Sequence, residues 1–177
     1  RDQPRSRGLG DVYKRQGVIV VAKNDKAHIN MSEQIKNHEV EKTYIALVKG
    51  FVKEEEATIN MPIGRSTRDR KKMAVNKNGK NAVTHFKVLE RFGNYTLLEV
   101  KIETGRTHQI RAHLAHIGHP LYGDGKYGIE EGRFRQALYS YKLKFAFDDE
   151  NELSYLSGRE FQARDIKLLD DYKERKF

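Results

Sequence analysis

Alternation of apolar and polar positions predicts most of the strands in this 177-residue chain. Side chains of a strand point to opposite faces in turn, so a half-buried strand alternates with a period of two. Such runs lie at 42–50, 82–92, 95–105, 136–147 and 159–163. The second and third runs are joined by Gly93 and Asn94, which predicts a β-hairpin. A continuous β-branched run at 18–22, VIVVA, predicts a buried strand.

Helical spacing and cap signals predict two longer helices. Asp25 is the expected N-cap of a helix over roughly 26–37. Thr107 is the expected N-cap of the second helix. The apolar positions that recur at helical spacing in the second helix are Ile110, Leu114 and Ile117. Gly118, followed by Pro120, is expected to end this helix.

Together these elements predict a single α+β domain over 17–177. Strands joined by short turns favour a mixed, mostly antiparallel sheet with a few flanking helices. The charged tail after Asp148 adds the strand at 159–163 and a short helix after Asp165. Residues 1–16 are polar, basic and without period, which predicts a non-native or disordered segment. We expect a monomer.

Composition narrows the classes of function. The chain has no cysteine, which excludes disulfides, thiolate catalysis and cysteine-based zinc sites. No apolar run is long enough to cross a bilayer and no secretory signal is visible, so we expect a cytoplasmic protein without a membrane partner. The formal net charge of +9 favours a polyanionic partner, most commonly nucleic acid. A basic protein with no such partner is the alternative.

Positive charge is concentrated at 64–81, GRSTRDRKKMAVNKNGKN. Its cations are Arg65, Arg68, Arg70, Lys71, Lys72, Lys77 and Lys80, against the single acid Asp69. Such a loop favours contact with phosphates, since each phosphate neutralised releases condensed counterions. The competing interpretation is a solvated charge run.

A second unusual segment, ETGRTHQIRAHLAHIGHP at 103–120, contains two arginines, four histidines and a glutamine. Imidazoles are common metal ligands, but His108 lies roughly 140° around the helix from His113. His119 follows the expected helix stop, and no HExxH pattern occurs. We therefore expect no metal site.

The pattern alone leaves the roles of two residues, Arg111 and Tyr44, undecided. Arg111 lies roughly 60° from Leu114 on the helical wheel, so it borders the apolar stripe. A guanidinium there either pairs with a carboxylate or phosphate, or lays its stem on the core with its head in water. Tyr44 lies within an alternating strand, where it is either a core residue or a ring that stacks on an unstacked base.

The run EKTYIALVKG, followed by TGRTHQIRAHLAHIGHPLYGDGKYG, strongly resembles the RluA-type pseudouridine synthases that modify ribosomal RNA. GVIVVAKN and RQALYSYKLKF resemble the same family, so the resemblance covers 17–147. It implies a central RNA-binding cleft and conversion of uridine to pseudouridine without metal or organic cofactor, most often in large-subunit ribosomal RNA. The target base is flipped into a pocket, and an aspartate attacks the nucleoside, at ribose C1′ or at uracil C6. The base then detaches, turns and rejoins through C5.

The resemblance also implies roles for individual residues. Tyr44 matches the active-site tyrosine that packs on the target base, and Arg111 matches the basic residue that pairs with the catalytic aspartate. The residues implied to shape the RNA site or hold phosphates are Lys42, Arg65, Arg68, Arg70, Lys71, Lys72, Arg106, His108 and Gln109. Asp124, in YGDGKYG, matches a feature that we interpret as structural.

One departure from the family concerns the nucleophile. The family places its aspartate in an HRLDxxTSG-like motif directly before the strand that GVIVVAKN resembles, but here GDVYKRQ precedes Gly17. Val12 occupies the expected position, and Asp11 is one residue away. We therefore expect a domain incomplete at its N-terminus, with its nucleophile absent, and inactive or nearly so. A non-catalytic RNA-binding module is the alternative function, and a histidine-dependent metallohydrolase is a weak third.

Overall fold

The computed structural model describes residues 16–129, 136–148, 150–164, 166, 170 and 174. The strands are β1 (Gln16–Gly17), β2 (Val40–Lys49), β3 (Glu56–Asn60), β4 (Ile63–Arg65), β5 (Met73–Val75), β6 (Val83–Phe92), β7 (Tyr95–Ile102), β8 (Leu138–Phe145) and β9 (Glu160–Gln162). The helices are α1 (Asp25–Lys36) and α2 (Gln109–His116), and Ser154–Leu156 form a 3₁₀ turn.

Seven strands form one mixed sheet in the order β1-β8-β2-β7-β6-β3, with β9 also paired to β8. Only the short β1–β8 pair is parallel among the strand pairs of the described residues. β4 and β5 form a separate two-stranded hairpin. This arrangement confirms the predicted α+β class with a mostly antiparallel sheet.

Glycines lie in the β6–β7 turn and directly after β2, as the sequence predicts. β6 and β7 form the predicted hairpin, and Gly93 in its turn has φ +50, a left-handed conformation that glycine adopts without steric cost. β2 ends directly before Gly50, whose φ is +84. These two strand ends confirm the predictions for 42–50 and for the hairpin.

The two faces of the sheet carry separate apolar cores. Alternate residues of β2 go to opposite faces, which the pleat requires. Ala46 and Val48 join Leu98, Val100, Leu121 and the α2 residues Ile110 and Leu114 on one face. Ile45 and Leu47 join Leu97, Tyr122, Ala137 and Tyr139 on the other. A third cluster places Met31 of α1 against Val40, Leu143 and Phe145. α2 is therefore fixed on the β2 face that carries the even-numbered side chains.

The predicted buried strand at 18–22 is wrong. Pairing stops at Gly17, apart from a hydrogen bond from the Val18 amide to the Ser140 carbonyl at 2.9 Å. Ile19 and Val21 are 41% and 70% exposed. The physical reason is competition for an edge, because β9 pairs with Lys142–Lys144, the stretch of β8 that a longer β1 would need. A run of β-branched residues indicates only a preference for a half-buried sheet surface and does not show that an edge is available to pair with it.

Both predicted N-caps are also wrong. α1 begins one residue early, and Asn24 caps it by accepting the Ala27 amide at 2.8 Å. α2 has no side-chain cap, and its N-cap residue is His108 with φ +55. Gly118, with φ +88, directly follows the C-cap residue Ile117, so the predicted end of α2 is confirmed.

The structure leaves two predictions untested. Residues 1–15 lie outside the described residues, and so does most of the segment after Asp165. The short strand predicted at 159–163 is present as β9. In the described part of the chain, no helix has both the length and the apolar character needed to cross a membrane.

α2 is tied to the sheet by a chain of buried hydrogen bonds. His113, fully buried, donates from Nε2 to the Met61 carbonyl at 2.8 Å, which leaves Nδ1 to accept the Thr84 hydroxyl at 2.9 Å. The Gln109 amide in turn donates to the Thr84 hydroxyl at 3.0 Å. Burial lowers the pKa of His113; the hydrogen bond to the Met61 carbonyl raises this pKa by less, and the charge of His116 lowers it further. The folded protein therefore favours the neutral imidazole.

This network predicts a pH-dependent stability. Because the folded state binds the His113 proton less readily than the unfolded state, the free energy of unfolding should fall as pH drops below about 6.5. Above that pH both states are neutral at this position, and the penalty is absent. His113→Gln keeps an acceptor and a donor, so in urea denaturation between pH 5 and 8 it should flatten this dependence. His28→Gln, which changes an exposed imidazole on α1, should leave the slope intact; equal slopes for His113→Gln and the parent chain would contradict the assignment.

Candidate active site

The segment before α2 is organised around the side chain of Gln109. Its Oε1 accepts the Thr104 hydroxyl at 2.7 Å and the Arg106 amide at 3.1 Å. Its Nε2 donates to the Val83 carbonyl at 2.8 Å as well as to Thr84. Gln109 is only 3% exposed, so its amide serves the fold. Gln109 therefore holds this turn in place, and its implied role at the RNA site stays a prediction.

Arg111 has a carboxylate partner within the chain. Its Nε and Nη2 donate to the two carboxylate oxygens of Asp124 at 2.8 and 2.7 Å. The Arg111 side chain is 13% exposed and that of Asp124 is 1% exposed. Asp124 Oδ1 also accepts the amides of Lys126 and Tyr127 at 3.1 and 3.3 Å. Bidentate pairing fixes the plane of the guanidinium as well as its position.

This ion pair decides between the two interpretations of Arg111. The half-buried guanidinium is paired, as a desolvated charge requires. The resemblance implies that Arg111 pairs with a catalytic aspartate before Gly17; in the structure its carboxylate partner is Asp124. The sequence analysis interpreted Asp124 as structural, and the structure shows that its carboxylate holds the Arg111 guanidinium.

Tyr127, which sequence analysis missed, lies between Arg111 and the basic segment. The Arg111 guanidinium carbon lies 4.9 Å from the centre of its ring. Burial raises the pKa of Tyr127, while the amide of Met73 and the charges of Arg111 and Arg65 act in the opposite direction. The phenol is therefore neutral at physiological pH. The Tyr-Gly dipeptide that occurs twice in YGDGKYG, at 122–123 and 127–128, was the available signal.

Lys42 and Tyr44 approach the site from β2. Both belong to the face of the sheet that α2 covers, and Tyr44 is half-buried against the cluster that holds Ile110 and Leu114. A Cβ on Gly105 would lie 3.8 Å from Lys42 Nζ, so this lysine lies beside the turn that leads to α2. Burial lowers the pKa of Lys42. A β-bulge in β8 falls opposite the Thr43/Tyr44 step, and such bulges reorient side chains locally.

The basic segment forms the β4–β5 hairpin and its connection to β6. Ser66 shapes the turn, since its hydroxyl accepts the amides of Arg68 and Asp69 at 3.3 and 3.2 Å. Arg65 Nη1 donates to the Arg70 carbonyl at 3.3 Å. An open depression of about 550 Å³ is lined by Arg65, Ser66, Thr67 and Arg70. The cations exposed on this hairpin are Arg65, Arg68, Arg70 and Lys71, with Lys72 half-buried.

Three further residues around α2, Arg106, His108 and His119, form hydrogen bonds to different parts of the chain. Arg106 donates from Nε to the Asn81 carbonyl at 2.8 Å, which ties it to the end of the basic segment. His108 bonds through Nδ1 to the Tyr127 hydroxyl at 2.9 Å. His119 donates from Nδ1 to the Lys49 carbonyl at 2.9 Å, on the far side of α2. Among the described residues, no group of three or more potential metal ligands lies close enough to hold an ion.

Loss of the buried Arg111–Asp124 pair should destabilise the fold much more than loss of an exposed ion pair. Asp124→Asn removes one charge and leaves the buried guanidinium unpaired, so the free energy of unfolding should fall by about 2–4 kcal/mol. Glu55→Gln, which changes the 76% exposed partner of Arg91, is the matched control and should cost less than about 1 kcal/mol. Urea denaturation at pH 7 measures both. A cost for Asp124→Asn no greater than that of the control would contradict a buried, geometrically fixed pair.

Comparison with known proteins places these residues in a family context. YlyB of Bacillus subtilis, an RNA pseudouridine synthase, is 54% identical over 112 residues, which are 63% of this chain and 37% of that protein. The ribosomal large subunit pseudouridine synthase D of Pseudomonas aeruginosa is 50% identical over 119 residues, 67% of this chain and 36% of that protein. The chain thus spans less than half the length of these two relatives.

A solved structure and a family model agree with these relatives. The structure of human RNA pseudouridylate synthase domain containing 1 covers 88% of this chain and 73% of its own, with a TM-score of 0.66 and 28% identity. A family model described as RNA pseudouridylate synthase matches residues 13–116, more than half of the chain and a span that ends with α2. The chain therefore belongs to the RNA pseudouridylate synthase family.

Proposed function

We propose that this chain provides the catalytic domain of an enzyme that isomerises uridine to pseudouridine in ribosomal RNA. The observation that carries the proposal is the guanidinium of Arg111, held in one orientation by Asp124 next to a strongly basic hairpin. Two relatives, from Pseudomonas aeruginosa and Nitrosomonas europaea, are named ribosomal large subunit pseudouridine synthase D. We accordingly propose large-subunit ribosomal RNA as the substrate.

In this proposal Tyr44 receives the flipped base. A base leaves the helical stack at a cost of a few kcal/mol, and a stacking partner offsets part of this cost. The ring of Tyr44 is half-buried, and its strand packs under α2, so the ring is restrained before RNA binds. Restraint of the ring lowers the entropy lost when the base stacks on it.

Arg111 orients the catalytic carboxylate. Its Nε and Nη2 are engaged by Asp124, and no described residue accepts a hydrogen bond from Nη1. The Nη1 edge is therefore the part of the guanidinium that can take a second anion. A carboxylate held there stays ionised, because a neighbouring positive charge favours the charged form.

The cations of the basic segment and Lys42 bind RNA phosphates. Phosphate contacts fix the register and orientation of a nucleic acid without reading its sequence. Arg65, Arg68, Arg70 and Lys71 are exposed on a hairpin that projects from the domain beside α2. Arg106 extends this surface toward the start of α2.

The reaction itself is an isomerisation and needs no oxidant or reductant. The bond between uracil N1 and ribose C1′ breaks, and a bond between uracil C5 and C1′ forms. The C5 proton is lost and N1 carries a proton in the product. We propose no metal and no organic cofactor, a monomeric chain and a cytoplasmic setting.

The nucleophile is the remaining question for this chain. Counting back from Gly17 places Val12 where an aspartate is expected, and the flanking residues of the HRLDxxTSG-like motif are also missing. We therefore propose that Asp11 is not the nucleophile and that the chain as given is inactive or nearly so. The match to the family then comes from the parts of the domain that bind RNA and position the base.

An activity assay tests this proposal. Replacing residues 9–16 with HRLDxxTS, which completes an HRLDxxTSG-type motif at Gly17 and places its aspartate at position 12, should raise pseudouridine formation in ribosomal RNA by on the order of a thousandfold, since a nucleophile is restored. Mass spectrometry of nuclease digests measures the product. Turnover by the unaltered chain that is abolished by Asp11→Asn would contradict the proposal. RNA binding without turnover in the restored chain would favour a non-catalytic RNA-binding module.

A salt titration tests the binding of phosphates by the hairpin. The triple variant Arg68→Ala/Lys71→Ala/Lys72→Ala should reduce the slope of log Kd against log salt by about 2, at roughly 0.7–0.9 for each phosphate that is no longer neutralised. Fluorescence anisotropy with a ribosomal RNA stem-loop gives this slope. The control, Lys23→Ala/Lys36→Ala/Lys53→Ala, removes the same charge from exposed sites outside the hairpin and should change the slope by less than half as much. Equal slopes for the two triple variants would locate the RNA elsewhere.

A further inference from the structure

The hydroxyl of Tyr127 joins three parts of the chain that are distant in sequence. It accepts the backbone amide of Met73, on β5 of the basic hairpin, at 2.9 Å. It also bonds His108 Nδ1, at the start of α2, at 2.9 Å. A phenol that accepts one hydrogen bond has its own proton to donate, and a neutral imidazole nitrogen accepts it. Both bonds are therefore satisfied together.

The ring of Tyr127 makes a second set of contacts. The Arg111 guanidinium lies over its face, 4.9 Å from the centroid, and the His108 ring meets it edge-on at 5.6 Å. The ring also packs against the small apolar cluster of Ile63, Ala82 and Ala112. Tyr127 thus touches the hairpin through its hydroxyl and the Arg111 site through its face.

The hairpin depends on such contacts for a fixed position. β4 and β5 pair over only three residues each, and an isolated two-stranded ribbon of this size is marginally stable in water. His108, at the other hydrogen bond of the Tyr127 hydroxyl, also needs contacts to hold its conformation. A non-glycine residue with φ +55 persists only when its surroundings hold it there. The Tyr127 hydroxyl anchors both.

We propose that Tyr127 is a positioning residue that couples the basic hairpin to Arg111, so that a phosphate held by the hairpin also restrains the guanidinium. Arg65 provides the hairpin side of this coupling, because it pairs across the hairpin with Met73, whose amide bonds the phenol. The coupling rests on the proposed function for its use with RNA. Its structural part does not, since the contacts are present in the free chain.

Hydrogen exchange in the free protein tests the anchoring. Tyr127→Phe keeps the ring and removes the hydroxyl, so the Met73 amide should exchange about 3- to 10-fold faster, as expected when one hydrogen bond is removed. Amides of β6 and β7 should keep their protection. The control, Tyr155→Phe, removes the hydroxyl of a 65% exposed tyrosine and should change neither set. An unchanged Met73 amide in Tyr127→Phe would overturn the proposal.

A double-mutant comparison tests the coupling itself, which a merely structural role would not produce. Arg65→Ala should shift the NMR signal of the Arg111 Nε–H group in the parent chain, and by less than half as much when Tyr127 is Phe. Equal shifts in the two backgrounds would overturn the coupling. These measurements need no RNA, so failure of the parent chain to bind a ribosomal RNA stem-loop would reject the proposed function and leave this inference standing.

Discussion

The ion pair between Arg111 and Asp124 is the interaction on which the site depends. Asp124 is almost completely buried, and a carboxylate in that environment is tolerated only when its oxygens are paired. Its four partners are the two guanidinium nitrogens and the amides of Lys126 and Tyr127. The same carboxylate therefore fixes the cation and shapes the turn that carries Tyr127. That turn also brings the Tyr127 hydroxyl to the Met73 amide of the basic hairpin.

α2 could not hold such a site by its own stability. It has eight residues, and isolated helices of this length do not persist in water. Ile110 and Leu114 bind it to the sheet, and the bonds of Gln109 and His113 to Thr84 set its rotation and register. With its rotation fixed by these neutral bonds, α2 can present the Arg111 guanidinium, at the border of its apolar stripe, in one orientation.

Prediction from sequence succeeded where one local pattern sufficed. The period of two predicted β2, the β6–β7 hairpin and β8. The wheel position of Arg111 indicated a half-buried side chain and left open whether its guanidinium was paired. Prediction failed at 18–22, where the competing strand β9 lies far along the chain. It also failed at the N-cap of α1, where Asn24 and Asp25 offer equivalent signals, and at α2, which begins without a side-chain cap. The partner of Arg111 was missed because Asp124 lies beyond the end of α2, outside any helical spacing. The resemblance directed attention to an aspartate before Gly17 instead.

The sequence by itself determined the fold class and the family. Those features are written in short-range periodicity, in net charge and in a continuous motif, all of which act over a few neighbouring residues. Only the tertiary structure decided which carboxylate holds Arg111, that Gln109 and His113 serve the fold, and that Tyr127 joins the hairpin to α2. Each of these depends on how close separate segments come once the chain is packed, and burial then makes every unpaired polar group costly.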